Sequence, residues 1–150
     1  MKLSDLLDES VVKVGLESED KEEAFAEMVE LLVRAGRVAD RDRAMQAILA
    51  REEMATTGIG RGVAVPHGKD ASVKTLTAAL GVSTTGMEYD ATDGQPVYLV
   101  FMVLAEASNP GPHIQCLAEI ARLLHVPGFF ERLRRAKDAR EVLDIIRSEE

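Results

Sequence analysis

The sequence predicts a single α/β domain over residues 1–150, a small mixed β-sheet sandwiched between helices on both faces. Three observations carry this. Residues 97–105 are apolar throughout, as a strand must be when helices cover both its faces. Leu76, Ala78, Leu80 and Val82 alternate, the period-2 signature of a strand with one buried face. Segments with helical spacing lie on both sides of these strands in the chain.

Taken in order, residues 9–14 form a short β-type run. A helix opens at Ser18 or Asp20, both suitable N-caps, with Phe25, Met28, Val29 and Leu32 on its apolar face and Gly36 closing it. Asp40 starts a second helix, with Ala44, Met45, Ile48 and Leu49 on one side and Arg51 near its C-terminus. Residues 63–65 are a short strand stopped by Pro66. Thr85-Gly86 and Asp93-Gly94 bracket a hairpin or edge strand at residues 87–89. Asn109-Pro110-Gly111-Pro112 turns into a helix that buries Ile114, Leu117, Ile120, Ala121 and Leu124. Val126-Pro127-Gly128 breaks it. A short helix with Phe130 and Leu133 follows, and a last one opens at Asp138 and buries Val142, Leu143 and Ile146.

Composition narrows the function. The formal net charge is -8 and the pI about 5.0, a field that repels nucleic acid and anionic lipid and favours a basic protein partner. No apolar run approaches the ~20 residues needed to cross a bilayer, and the N-terminus lacks the basic start and apolar core of a secretory signal. A single cysteine, Cys116, suits a reducing cytoplasm. The expectation is a cytoplasmic protein with no direct membrane insertion and no nucleic-acid partner.

The segment Arg51 to Lys69 concentrates the chemistry. Gly58, Gly60 and Gly62 recur at every second position, a pattern that lets backbone N–H groups approach an anion, and His67 follows directly after the apolar strand. Familiar phosphate motifs are absent. A Walker A loop fails because Gly68-Lys69 is followed by Asp70, and a dinucleotide fingerprint from Gly58 fails at Val63. There is no Gly-x-Ser-x-Gly elbow and no His-Glu-x-x-His pair. The three histidines, His67, His113 and His125, have no metal-ligand spacing, so no metal and no cofactor are expected.

Each candidate also has a plainer reading. His125 ends a helix, where a surface cap suffices. His113, after Pro112 in a first turn, is either solvated or turned toward an anion beside free backbone N–H groups. Arg51 is either a helix-terminal cation or a fork for phosphoryl oxygens, and Thr57 a turn residue or a hydroxyl donor. Arg61 is a solvated turn cation, and Cys116 a buried inert thiol.

Arg51-Glu52, Thr57-Gly58-Ile59-Gly60 and Gly62-Val63-Ala64-Val65-Pro66-His67-Gly68 closely resemble the active-site signature of type 2 enzyme IIA domains. These belong to the bacterial phosphoenolpyruvate-dependent phosphotransferase system, with mannitol, fructose and nitrogen-regulatory branches. His113-Ile114-Gln115-Cys116-Leu117-Ala118-Glu119-Ile120-Ala121 resembles the family's second histidine segment, and Asp93-Gly94-Gln95-Pro96-Val97 also fits. The resemblance implies that His67 is phosphorylated by the phosphocarrier HPr or a nitrogen-branch homologue. It makes His113 the second histidine, stabilising the phosphoryl oxygens, with Arg51 and Thr57 helping to hold the group. The recipient would be an enzyme IIB or a regulatory target, and His67-Gly68-Lys69 tilts the resemblance toward regulation. Two departures stand out, Arg61 where a small polar residue is common and Cys116 within the second-histidine helix.

Overall fold

The computed structural model describes residues 1–150. Two short 3-10 turns, Leu3–Asp5 and Glu9–Val11, lead into strand β1 (Val12–Val14), so only the second half of the expected opening strand is extended. The Asp8 carboxylate takes the Ser10 N–H and winds the first half. Helices α1 (Lys21–Arg34) and α2 (Arg41–Met54) follow, then strands β2 (Gly58–Gly60), β3 (Val63–Ala64), β4 (His67–Asp70), β5 (Thr77–Met87) and β6 (Val97–Glu106). Helices α3 (Pro110–Leu124), α4 (Phe129–Arg134) and α5 (Ala139–Ser148) complete the chain. Asp20, Asp40 and Asp138 each cap a helix by accepting the N–H three residues on, at 2.9–3.1 Å.

The sheet runs β1-β5-β6-β3-β2, with β4 also on β6. Pairing is parallel for β1–β5, β3–β6 and β4–β6, and antiparallel for β5–β6 and β2–β3. Helices α1 and α2 pack together on one face, and α3, α4 and α5 cover the other. Forty buried residues make one continuous core around the sheet.

Three expectations about strands are corrected. Strand β5 is buried on both faces over residues 77–83, not on one: at Gly81 an added Cβ would lie 2.7 Å from Leu16 and 2.8 Å from the Met28 sulfur of α1. Residues 87–89 form no separate strand; Met87 ends β5 after an irregularity in its register, and Tyr89 turns inward to 1% exposure. Where the sequence pattern stops the strand at Pro66, the chain re-enters the sheet as β4. Val63 lies opposite Leu99 and His67 opposite Val103 with the register offset unchanged, so β3 and β4 are one line along β6, interrupted at Val65-Pro66. Proline has no N–H for the ladder, and its carbonyl still takes the Val103 N–H at 3.0 Å.

Candidate phosphoryl-transfer site

Side chains alternate along β4, which decides where His67 points. Gly68 faces α2, where a Cβ would come within 2.9 Å of the Ala47 carbonyl carbon. His67 therefore faces the opposite layer and meets His113 of α3, with ring centroids 5.1 Å apart and planes at 70°. His67 is half-buried and His113 is 6% exposed. Two histidines that the sequence keeps 46 positions apart, with no local hint of contact, share one site.

His67 Nδ1 lies 2.8 Å from the Val65 carbonyl oxygen. A carbonyl only accepts, so Nδ1 carries the hydrogen and Nε2 keeps its lone pair. His113 Nε2 is buried and has no protein partner. Burying a polar nitrogen unpaired costs about 1–3 kcal/mol, so this atom is poised for something that arrives. Desolvation holds the proton affinity of both rings below the ordinary histidine value. The Arg51 and Lys69 cations lower His67 further, against the Val65 bond and the Glu52 charge, while His67 and Lys69 lower His113. Neutral imidazoles result.

A cavity of about 240 Å³ opens beside His67, lined by Arg51, Thr56, Thr57, Ile59, Val65 and the α3 residues Leu117, Ile120, Ala121 and Leu124. Arg51 uses one guanidinium N–H on the Ala55 carbonyl at 2.9 Å, capping α2, and the residue also lines the cavity. Thr57 is placed differently from the expectation of a free hydroxyl donor. It is 3% exposed, and its Oγ1 donates to Glu52 Oε1 at 2.6 Å and lies 2.8 Å from the Tyr89 hydroxyl. Its one hydroxyl proton is taken by a carboxylate, so it cannot also be given to a phosphoryl oxygen.

Gly58, Gly60 and Gly62 do not form an anion-cradling loop at His67. Gly58 and Gly60 belong to β2, and none of the three lines the cavity. Packing selects them: a Cβ on Gly58 would sit 2.8 Å from the Ala91 backbone, and one on Gly62, at φ +83, would sit 2.7 Å from the Phe130 ring. Arg61, at φ +58, tops the hairpin, and its N–H is held by Asp93 at 2.9 Å. His125 accepts its surface role, with Nδ1 on the Ala121 carbonyl, and burial pushes the Cys116 thiol up to about 11, an inert state.

Helix α3 supplies the largest correction. Its buried stripe is His113, Cys116, Ile120 and Leu123, whereas Ile114 is 65% exposed, Ala121 is exposed, and Leu117 and Leu124 are half-buried. The helix is rotated so that an apolar stripe borders the His67 cavity instead of filling the core. In the next helix Phe129, not Phe130, is the fully buried ring. Glu52 stands in the signature quoted above but with no role attached to it, and Tyr89 belongs to no recognisable catalytic spacing.

Residues 5–149 match the family model described as phosphoenolpyruvate-dependent sugar phosphotransferase system, EIIA 2. The chain is 39% identical over 146 residues, 97% of its length, to the fructose-specific EIIABC component of Bacillus subtilis, and spans only 23% of that protein. It is 40% identical over 126 residues, 84% of its length, to the fructose-specific EIIA component of Haloferax volcanii, covering 82% of it. Among solved structures, the nitrogen regulatory protein IIA-Ntr of Neisseria meningitidis superposes with a TM-score of 0.88 at 31% identity, covering 96% of this chain and 98% of that one. Enzyme IIA mannitol, in its complex with phosphorylated enzyme IIB mannitol from Escherichia coli, superposes with a TM-score of 0.80 at 25% identity over 95% and 97% of the two chains.

Proposed function

Because this chain belongs to the EIIA 2 family of the phosphoenolpyruvate-dependent sugar phosphotransferase system, we propose that its phosphoryl group is carried on His67 Nε2. The neutral Nε2 lone pair attacks the phosphorus of a donor phosphohistidine. A new N–P bond forms as the donor's N–P bond breaks, and that electron pair returns to the donor ring nitrogen. No proton needs to move, since Nδ1–H of His67 stays on the Val65 carbonyl. The protein contributes position and charge: His113 Nε2–H meets a phosphoryl oxygen, and the Arg51 fork meets the spread negative charge. Thr57 supports the wall of the site rather than the group itself.

The observation that carries this reading is the pair of imidazoles 5.1 Å apart, one with a free lone pair and the other with a buried, unpartnered Nε2. Incubation with phosphoenolpyruvate, enzyme I and HPr tests it. Wild-type protein should acquire one acid-labile phosphoryl group and His67→Ala none, while His113→Ala slows transfer about 100-fold, the scale of losing one transition-state donor. Label on His67→Ala at the wild-type level would sink the assignment.

HPr, or a nitrogen-branch homologue of it, is the donor we propose, in the cytoplasm. For the recipient, the identities of 39–40% with fructose-specific components support transfer to an enzyme IIB. The TM-score of 0.88 with IIA-Ntr, together with His67-Gly68-Lys69, supports a regulatory target that reads the phosphoryl charge instead. The Haloferax volcanii relative is fructose-specific and of comparable length, so a short chain does not favour regulation. Transfer reactions with a panel of purified IIB domains separate the two: discharge to any IIB supports transport, and retention by all of them supports regulation.

A further inference from the structure

We propose that Glu52 and Tyr89 are positioning residues for this reaction, fixing which nitrogen of His67 attacks through Thr57 and Val65. The proposal rests on His67 being the phosphoryl acceptor. The path is continuous and its directions are set by chemistry. The Thr57 hydroxyl proton goes to Glu52 Oε1 at 2.6 Å, so the Tyr89 hydroxyl must donate to Thr57 Oγ1 at 2.8 Å. Glu52 Oε2 also takes the Thr57 N–H at 2.9 Å, so one carboxylate grips both the side chain and the backbone of this residue. The Thr57 carbonyl then accepts the Val65 N–H at 2.9 Å, and the Val65 carbonyl accepts His67 Nδ1–H at 2.8 Å.

Each link joins a different part of the fold. Glu52 comes from α2, Tyr89 from the segment after β5, and Val65 from the break between β3 and β4. Tyr89 is anchored edge-on against Phe25 with ring centroids 5.9 Å apart. Lys21 of α1 reaches Glu52 at 3.1 Å and lies over the Tyr89 ring, so the buried carboxylate is charged and paired. Neither Glu52 nor Tyr89 lines the cavity beside His67. Through the hydrogen bonds their effect converges on one atom, the Val65 oxygen, and that atom dictates the tautomer of His67, while the Glu52 charge also acts on the ring directly. With Thr57 loosened, Val65 shifts, Nδ1–H loses its acceptor, and part of the population places the hydrogen on Nε2, where it blocks attack.

Long-range proton–nitrogen NMR on histidine-labelled protein, well above the histidine titration range, reads the tautomer directly. Wild-type His67 should be the Nδ1–H form, with a substantial Nε2–H fraction in Glu52→Gln and a smaller one in Tyr89→Phe. Phosphoryl acceptance from phospho-HPr should fall about tenfold in kcat for Glu52→Gln, with KM for phospho-HPr within about twofold, as expected when a group behind the site is lost. The ionisable groups acting on His67 are Arg51 and Glu52 of α2, Lys69 of β4 and His113 of α3. Removing the one anion among them should also move the acid limb of the rate profile to lower pH. Tyr89→Phe deletes a single oxygen and decides the matter if Glu52→Gln fails to fold. An unchanged tautomer in the folded variants, or a loss in KM alone, overturns the proposal. If wild-type His67 takes no phosphoryl group, the acceptor reading fails while the tautomer measurement still judges the relay.

Discussion

In the proposed reaction His67 attacks unprotonated, and its surroundings favour that form. Burial lowers its proton affinity, as do Arg51 and Lys69, and burial of His113 beside it works in the same direction. Phosphoryl acceptance should therefore stay level as pH falls through about 6.5, the value of a free histidine, and decline only below it. A rate profile bending at or above that pH would contradict the site. Stability carries the same sign. The unfolded chain binds these two protons more readily than the folded one, so folding stability rises with pH across the interval between folded and unfolded values. Denaturant midpoints should fall as pH drops from about 7 to about 5.5, and His113→Gln should flatten that slope. Glu27, Glu52 and Asp8 have carboxyls held below their ordinary range and lose their contribution only at more acid pH, leaving this window to the histidines.

Helix α3 shows what periodicity can and cannot settle. Both His113-Cys116-Ile120-Leu123 and Ile114-Leu117-Ala121-Leu124 obey helical spacing, and they lie side by side on the cylinder. The second stripe is the more apolar, yet the first is buried. Spacing fixes that the helix is amphipathic, but its rotation depends on the sheet beneath and on His113 meeting His67. The two stripes should respond oppositely to mutation. Ile120→Ala should cost about 2–5 kcal/mol by opening a core void, measured by urea unfolding. Ile114→Ser should change stability by no more than about 0.5 kcal/mol while raising KM for the phosphoryl donor severalfold, since a large apolar side chain left exposed directly after His113 fits a contact surface. Strand β4 was hidden for a related reason. Proline at position 66 and glycine at 68 read as loop punctuation, whereas the fold uses the first as a one-residue interruption and the second as clearance for α2.

At the scale of the whole molecule, most of the architecture is legible in the sequence, because it follows from residues 97–105 needing cover on both faces and from aspartates that start α1, α2 and α5. The site is legible only in part. His67 stands in a long signature, but its contact with His113, the contact of Thr57 with Tyr89, and the packing role of Gly58 and Gly62 all depend on segments distant in sequence. Hydrogen exchange should reproduce the hierarchy. Amides of β5 and β6, central in the order β1-β5-β6-β3-β2, should exchange only through global opening, and those of the β2 edge around Gly60 by local fraying. Equal protection of β2 and β6 would contradict this order.

The exposed stripe of α3 beside His67 has a kinetic consequence. Under the proposed function, donor and recipient both reach one ring nitrogen across one apolar border, so the two cannot occupy it together. The carrier then alternates between visitors, and its turnover should give parallel lines in double-reciprocal plots of rate against donor at several recipient concentrations. An excess of the uncharged carrier competes with the charged one for the same recipient, which makes throughput pass through an optimum as its abundance rises rather than climb without limit.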